Sequence, residues 1–263
     1  MPTPATVPSS EPELPILYRD QYLVAINKPS GLLVHRSPID RHETRFAIQL
    51  LRDQIGQRVY PVHRLDKPTS GVLLFALERD VARVVNESWQ ADKVSKHYVA
   101  LVRGYFNAPC LVDHPLRYQA DKHGDAPGSS QPLQEAQTAF TPLAQIELPE
   151  AVDRYPTSRY SLVHCRPITG RKHQLRRHLK HLHHPIIGDP KYGKSVHNRF
   201  FADRFGANRL LLAATELQLQ HPVTGAPLSI CAPINGRFAK VVDSLQWRTA
   251  LPTNWRESDY ATG

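Results

Sequence analysis

The stretch His63-Arg64-Leu65-Asp66-Lys67-Pro68-Thr69-Ser70-Gly71 decides how this chain is read. Pro61 and Pro68 fix φ and remove amide donors, so the segment is a stiff, non-helical loop. Thr69-Ser70-Gly71 is turn chemistry. Val72 to Leu77 then runs Val-Leu-Leu-Phe-Ala-Leu, the pattern of a strand buried on both faces. Asp66 is therefore a lone carboxylate on a loop beside the core, with Arg64 two residues ahead of it. An aspartate in such a turn ordinarily bonds its own backbone. A loop held by a rigid scaffold is also where catalytic side chains are mounted.

Upstream, residues 1–15 carry five prolines with Ser, Thr and Glu, which predicts a disordered lead-in. Ile16-Leu17-Tyr18 and Tyr22 to Ile26 read as two short strands, followed by a turn at Asn27-Lys28-Pro29-Ser30-Gly31 and a third strand at Leu32 to His35. Thr44 to Ile55 has the apolar spacing of an amphipathic helix, with Gly56 placed to stop it. Downstream, Arg79 to Lys93 is helical, and Ser95 to Tyr105 is a strand with Lys96, Tyr98, Ala100 and Val102 on one face. Tyr118 to Gln134 is polar and rich in Gly, Pro, Ser and Asp, a long exposed loop. Strands follow at 136–146 and 159–166. After the Pro167-Ile168-Thr169-Gly170 turn, Arg171 opens a helix with the stripe Leu175, Leu179, Leu182. Arg176 lies about 100° from Leu175, at the edge of that stripe, while Arg177 and Lys180 face solvent. Strands at 210–219 and 228–232 and a helix from Ala239 to about Trp247 complete the pattern.

The chain of 263 residues carries a formal charge of +9. Arg159 to Arg204 holds eleven Lys/Arg against Asp189 and Asp203, which accounts for the whole excess. A basic surface this local points to a polyanion, most economically nucleic acid. Cys110, Cys165 and Cys231 lie far apart with no paired spacing, which suits buried thiols in a reducing compartment rather than a disulfide or zinc framework. The cluster His178, His181, His183, His184 has no further ligand at metal spacing, so packing or phosphate contact is the expected role. No apolar run is long enough to span a bilayer, and a cytoplasmic location is expected.

Three blocks in order resemble the RluA/RsuA family of RNA pseudouridine synthases: His63-Arg64-Leu65-Asp66 with Thr69-Ser70-Gly71, then Lys96-x-Tyr98-x-Ala100, then Thr169-Gly170-Arg171-x-His173-Gln174-x-Arg176. Asn27-Lys28-Pro29-x-Gly31 and Pro185-Ile186-Ile187-Gly188-Asp189 extend the likeness. Within the family the nearer likeness is to its TruC-type tRNA branch, through Val34-His35-Arg36-Ser37, Lys67-Pro68, Arg154-Tyr155-Pro156-Thr157 and Arg176-Arg177-His178.

The resemblance implies an isomerase that detaches uracil N1 from its ribose, rotates the base and rejoins it through carbon 5. That reaction is redox-neutral and without net hydrolysis, so no metal and no organic cofactor are expected. It implies Asp66 as nucleophile or base, Arg176 as its ion-pair partner with Arg171 as rival, and Tyr98 and Leu175 against the uracil. Arg64 would fill the space that the extruded base leaves. His63, Arg171, Lys172 and His173 are the other expected substrate contacts.

The fold implied is α+β: a mixed, largely antiparallel sheet with flanking helices around a central catalytic cleft. The domain is expected over residues 16–247 with a tail at 248–263, and without a separate N-terminal RNA-binding module. The expected partner is RNA, most economically tRNA at uridine 65 of the T-arm stem. Neither a membrane nor an obligate protein partner is indicated. A large-subunit ribosomal RNA target and a non-catalytic RNA-binding protein are the alternatives.

Overall fold

The structure, a computed structural model, describes residues 13–35, 42–119 and 132–256. In chain order it forms β1 (Ile16–Arg19), β2 (Leu23–Lys28), α1 (Ala47–Ile55), β3 (Tyr60–Pro61), β4 (Ser70–Ala76), α2 (Arg79–Gln90), β5 (Ser95–Arg103), β6 (Cys110–Asp113), β7 (Leu116–Arg117) and β8 (Leu133–Gln134). It continues with β9 (Gln137–Leu148), β10 (Ser158–Pro167), α3 (Gln174–His181), α4 (Ser195–Phe205), β11 (Leu212–Gln220), β12 (Pro227–Cys231), α5 (Gly236–Ser244) and α6 (Thr253–Arg256). Ten strands make one sheet in the order β1-β2-β4-β11-β5-β10-β9-β6, with β12 on β11 and β3 on β4, while β7 and β8 pair separately.

The sheet consists of two antiparallel halves joined side by side. Where they meet, β4 and β11 run parallel, pairing Ser70 with Ala213 and Gly71 with Ala214; every other pairing between the described strands is antiparallel. Gly71 makes the junction possible. Its φ is +111°, and a Cβ there would stand 1.9 Å from the Ala214 carbonyl oxygen. No L side chain fits that approach or that dihedral. Arg209 fastens the same junction, donating from Nη2 to Ser70 Oγ at 2.8 Å and from Nε to the Leu210 carbonyl at 2.9 Å.

Both faces of the sheet are covered, so β4 is buried at all seven positions, which explains its unbroken apolar run. Around the first half, α1 packs through Ala47 and Leu51 and α2 through Val81, Ala82 and Val85. On the second half, α3 packs through Leu175 and Leu179 against Ala100, Val102, Val163 and Cys165. The opposite face, with Val99, Leu101, Tyr160 and Leu162, receives α4 and α5. Alternation along β5 thus turns Lys96 and Tyr98 away from this back face.

The α+β architecture with a mostly antiparallel sheet is as expected, and several details differ. Leu32 to His35 makes one isolated bridge, Leu33 with Phe46, because Pro29 and Gly31 turn it off the sheet. Residues 1–12 and 120–131 lie outside the described residues, but Leu14 is buried and exchanges two hydrogen bonds with the Gln54 side chain. The helix from Arg171 begins only at Gln174. Arg177 is half-buried rather than solvent-facing, donating to the Arg117 carbonyl at 2.9 Å. Cys110 is exposed on β6 instead of buried.

The tail placed at 248–263 starts too early: Leu251 and Trp255 are buried in the same core as Trp247, and residues 257–263 lie outside the described residues. Apolar residues only four apart in a short polar context carry too little pattern to reveal that docking.

Candidate active site

Loop 62–69 ends at the junction of the two half-sheets, and the turn after β2 holds it from behind. Gly31 N donates to the Lys67 carbonyl at 2.8 Å, Ser30 Oγ to the Pro68 carbonyl at 2.7 Å, and Thr69 N back to the Asp66 carbonyl at 3.0 Å. Lys28 is fully buried beneath the loop, its Nζ donating to the carbonyls of Pro29, Leu32 and Lys67. Burial, reinforced by the charge of Arg209 and opposed by Asp66, brings the Lys28 ammonium down to about 7. The backbone at Asp66 is thus fixed by groups that sequence spacing assigns to a different block.

Asp66 is met by Arg176 from α3. Arg176 Nη1 donates to Asp66 Oδ2 at 3.0 Å, while Nε and Nη2 make a two-pronged contact with Asp189 at 2.7 and 2.9 Å. The arginine side chain is 5% exposed and Asp189 1%. Burial acts against the guanidinium charge, and the hydrogen bonds and charges of Asp189 and Asp66 outweigh it. Asp189 in turn accepts the amides of Lys191 and Tyr192. A planar fork suits this three-point grip, which an ammonium cannot reproduce. Arg171, the rival partner, donates instead to the Glu135 carbonyl at 2.9 Å.

His173 lies on the other side of the carboxylate. Its Nε2 is 3.7 Å from Asp66 Oδ2, and its Nδ1 shares a 3.0 Å hydrogen bond with the Tyr192 hydroxyl. It caps α3 in the left-handed region at φ 56°, where a non-glycine residue is held only by its surroundings. Buried Gln174 supplies part of that hold. Its Oε1 accepts from Thr169 Oγ1 and Arg171 N, and its Nε2 donates to the Gln137 carbonyl.

A cleft of about 610 Å³ opens over this centre, lined among others by His63, Arg64, Asp66, Tyr98, Arg171, His173, Leu175 and Arg176. Eight of the nine residues expected at the site therefore share one cavity, and Lys172 stands outside its lining. Tyr98 is half-buried, and burial, then the charges of Asp66 and Cys165, push its phenol well above the ordinary tyrosine range. Arg64 is exposed at the mouth. His63 is committed to the scaffold: Nε2 accepts the Leu74 amide at 2.9 Å and the ring stacks on Trp89 at 4.5 Å. Burial and the nearby Lys96 hold its imidazole down to about 3, so it is neutral.

The histidine cluster is taken up structurally. His178 is buried between Thr138 Oγ1 and the His114 carbonyl, and His184 reaches the Arg103 carbonyl. Asp189, Tyr192 and Lys28 are the supporting residues that site reasoning from the sequence passes over. Each works through another residue, and only the tertiary fold shows which one.

A carboxylate clamped by a buried guanidinium, beside a protonated phenol in a cleft edged with cations, is the equipment of an enzyme that does acid–base or nucleophilic chemistry on a negatively charged substrate. Residues 22–181 match the family described as RNA pseudouridylate synthase. The tRNA pseudouridine synthase C of Pasteurella multocida is 51% identical over 236 residues, covering 89% of this chain and 97% of its own length. The Vibrio cholerae protein of the same name is 48% identical over 242 residues, covering 92% and 99%. Among solved structures, human RNA pseudouridylate synthase domain containing 1 superposes with a TM-score of 0.65 at 26% identity, covering 87% of this chain and 86% of that one. Human RNA pseudouridylate synthase domain containing 4 gives 0.64 at 29% identity, covering 88% and 93%. The chain belongs to the RNA pseudouridylate synthase family, isomerases that convert uridine to pseudouridine in RNA.

Proposed function

We propose that this chain isomerises a uridine of tRNA to pseudouridine, at position 65 of the T-arm stem, and that it works in the cytoplasm. The reading is carried by the Asp66–Arg176 contact at 3.0 Å within the cleft and supported by the relatives named tRNA pseudouridine synthase C. In the reaction the bond from N1 to C1′ breaks, a bond from C5 to C1′ forms, C5 loses its proton and N1 ends protonated. Asp66 serves as nucleophile or base. Arg176 fixes its direction. Tyr98 packs on the uracil as a neutral phenol able to give or relay a proton. Arg64, at the mouth, takes the place of the extruded base, and Arg171 and His173, which line the same cleft, contact the substrate.

The test is carbodiimide mapping of pseudouridine on bulk tRNA and ribosomal RNA incubated with wild-type protein or Asp66→Ala. A new mark in the T-arm stem with wild type, absent with the variant, is expected. A mark confined to ribosomal RNA would keep the chemistry and replace the substrate; no mark in either RNA would overturn the reading.

A further inference from the structure

Lys96 is the cation that the site does not otherwise use. It lies on β5 two residues before Tyr98, on the same face, which places it about 7 Å further along the cleft floor at the rise of a strand. Only 8% of it is exposed, yet it lines the cleft. Its ammonium makes no hydrogen bond and no ion pair with any described residue. Asp92 is in electrostatic range, but burial is the larger influence and draws the lysine below its ordinary value. Beside it in the cleft lining stand His63 and Trp89, whose rings stack on each other; His63 is neutral, so it supplies no counter-charge.

An ammonium on a largely buried side chain, with no carboxylate in contact, is costly to keep charged. Other buried cations of this chain are compensated: Arg176 by two carboxylates, and Lys28 by three carbonyls. Lys96 alone among these three has neither a carboxylate nor a carbonyl of a described residue within hydrogen-bond distance of its ammonium. RNA offers only one kind of anion, the backbone phosphate; uracil and ribose are neutral.

We propose that Lys96 is the binding residue for the phosphate next to the extruded uridine, so that its missing counter-ion arrives with the substrate. Because that anion is RNA phosphate, Lys96 has this role only if the chain acts on RNA as proposed above. Pairing at a lysine that is only 8% exposed is stronger than at a surface lysine, so this one phosphate sets the register in which a uracil reaches Asp66. The surface cations around it add affinity without choosing the nucleotide.

The experiment uses a T-arm RNA hairpin carrying a single neutral methylphosphonate, placed either 5′ or 3′ of the target uridine. Wild type and Lys96→Met are compared on it and on the unmodified hairpin. Wild type is expected to bind one of the two neutralised hairpins about tenfold more weakly, while Lys96→Met binds that hairpin and the unmodified one alike. The Lys96→Met salt dependence of binding should be shallower by about 0.7 to 0.9 in log–log slope, the signature of one lost phosphate contact. Lys96→Arg should restore the discrimination, and an unchanged melting temperature of Lys96→Met separates lost contact from lost fold. If Lys96→Met loses as much as wild type at both linkages, the assignment is wrong while the enzyme reading stands. If wild type forms no pseudouridine in the unmodified hairpin or in tRNA, both fall together.

Discussion

Arg176 places one charge between two carboxylates, and the two contacts differ in kind. Toward Asp189 it presents both Nε and Nη2, and toward Asp66 only Nη1. The first contact orients the guanidinium; the second uses that orientation. Burial alone would raise the Asp189 carboxyl, and Arg176 together with the amides of Tyr192 and Lys191 brings it below the ordinary aspartate value. A carboxyl lowered on folding contributes stability that is complete above its unfolded value of about 3.9 and lost as pH falls through the folded one. The clamp is therefore whole across the neutral range and opens only in acid.

Arg176→Lys keeps the charge and removes the fork. It should lower kcat about a hundredfold through misorientation of Asp66, with KM for tRNA within about threefold, and should reduce stability by about 2 kcal/mol. Steady-state kinetics and urea unfolding check these together. An unchanged kcat would show that charge alone suffices, and that the geometry at Asp66 is set by the loop.

At the scale of elements, the junction of β4 and β11 brings the catalytic loop and α3 within reach of each other. Gly71→Ala asks a Cβ to occupy space 1.9 Å from the Ala214 oxygen, so β4 and β11 must separate. A loss above about 4 kcal/mol is expected. Gly56, which closes α1 at φ +66°, is the internal control, since a Cβ there meets nothing within 4 Å. Gly56→Ala should cost only the left-handed penalty of about 1–2 kcal/mol. Thermal unfolding of the two variants decides; equal losses would mean that the junction is looser than its geometry.

The same junction shows what the sequence could and could not disclose. The run Val72–Leu77 announces a strand buried on both faces, and Asp66 before it announces a mounted carboxylate. The alternation Lys96, Tyr98, Ala100 gives the face that Tyr98 presents. Nothing local shows that Ser70–Gly71 pairs in parallel with Ala213–Ala214, or that Asp189 and Tyr192 stand behind Arg176 and His173, because those relations join segments more than ten residues apart. Nor does an Asn-Lys-Pro turn reveal that its lysine lies under a loop 39 residues later. Pattern gives each element; the partners of a buried polar group emerge only when the elements have docked.

The whole molecule divides its labour between the two faces of one sheet. The cleft face carries Asp66, Tyr98, Lys96 and α3, and the stretch from Pro167 to Arg176 supplies much of its lining. On the back face, α4, α5 and the segment after Trp247 are packed into one core. Trp255 closes that core: it is 4% exposed, its Nε1 donates to Glu216 Oε2 at 2.9 Å, and its carbonyl accepts the Ile234 amide at 2.9 Å. Its ring lies 5.1 Å from that of His164 and 6.1 Å from that of His97, and these two histidines are themselves joined across β5 and β10 at 3.0 Å.

Stability and chemistry are therefore separable by face. Trp255→Ala should cost about 3–5 kcal/mol from lost packing and a cavity that the sheet cannot refill, a fall in melting temperature of about 10 °C for a domain of this size. Well below that temperature, kcat and KM for tRNA should match wild type, and the salt slope of RNA binding should not move, since no phosphate contact has been removed. Differential scanning calorimetry beside kinetics at low temperature makes the comparison. A drop in kcat with an unaltered melting temperature would show that the back-face core feeds the geometry at Asp66, through the strand β5 that the two faces share.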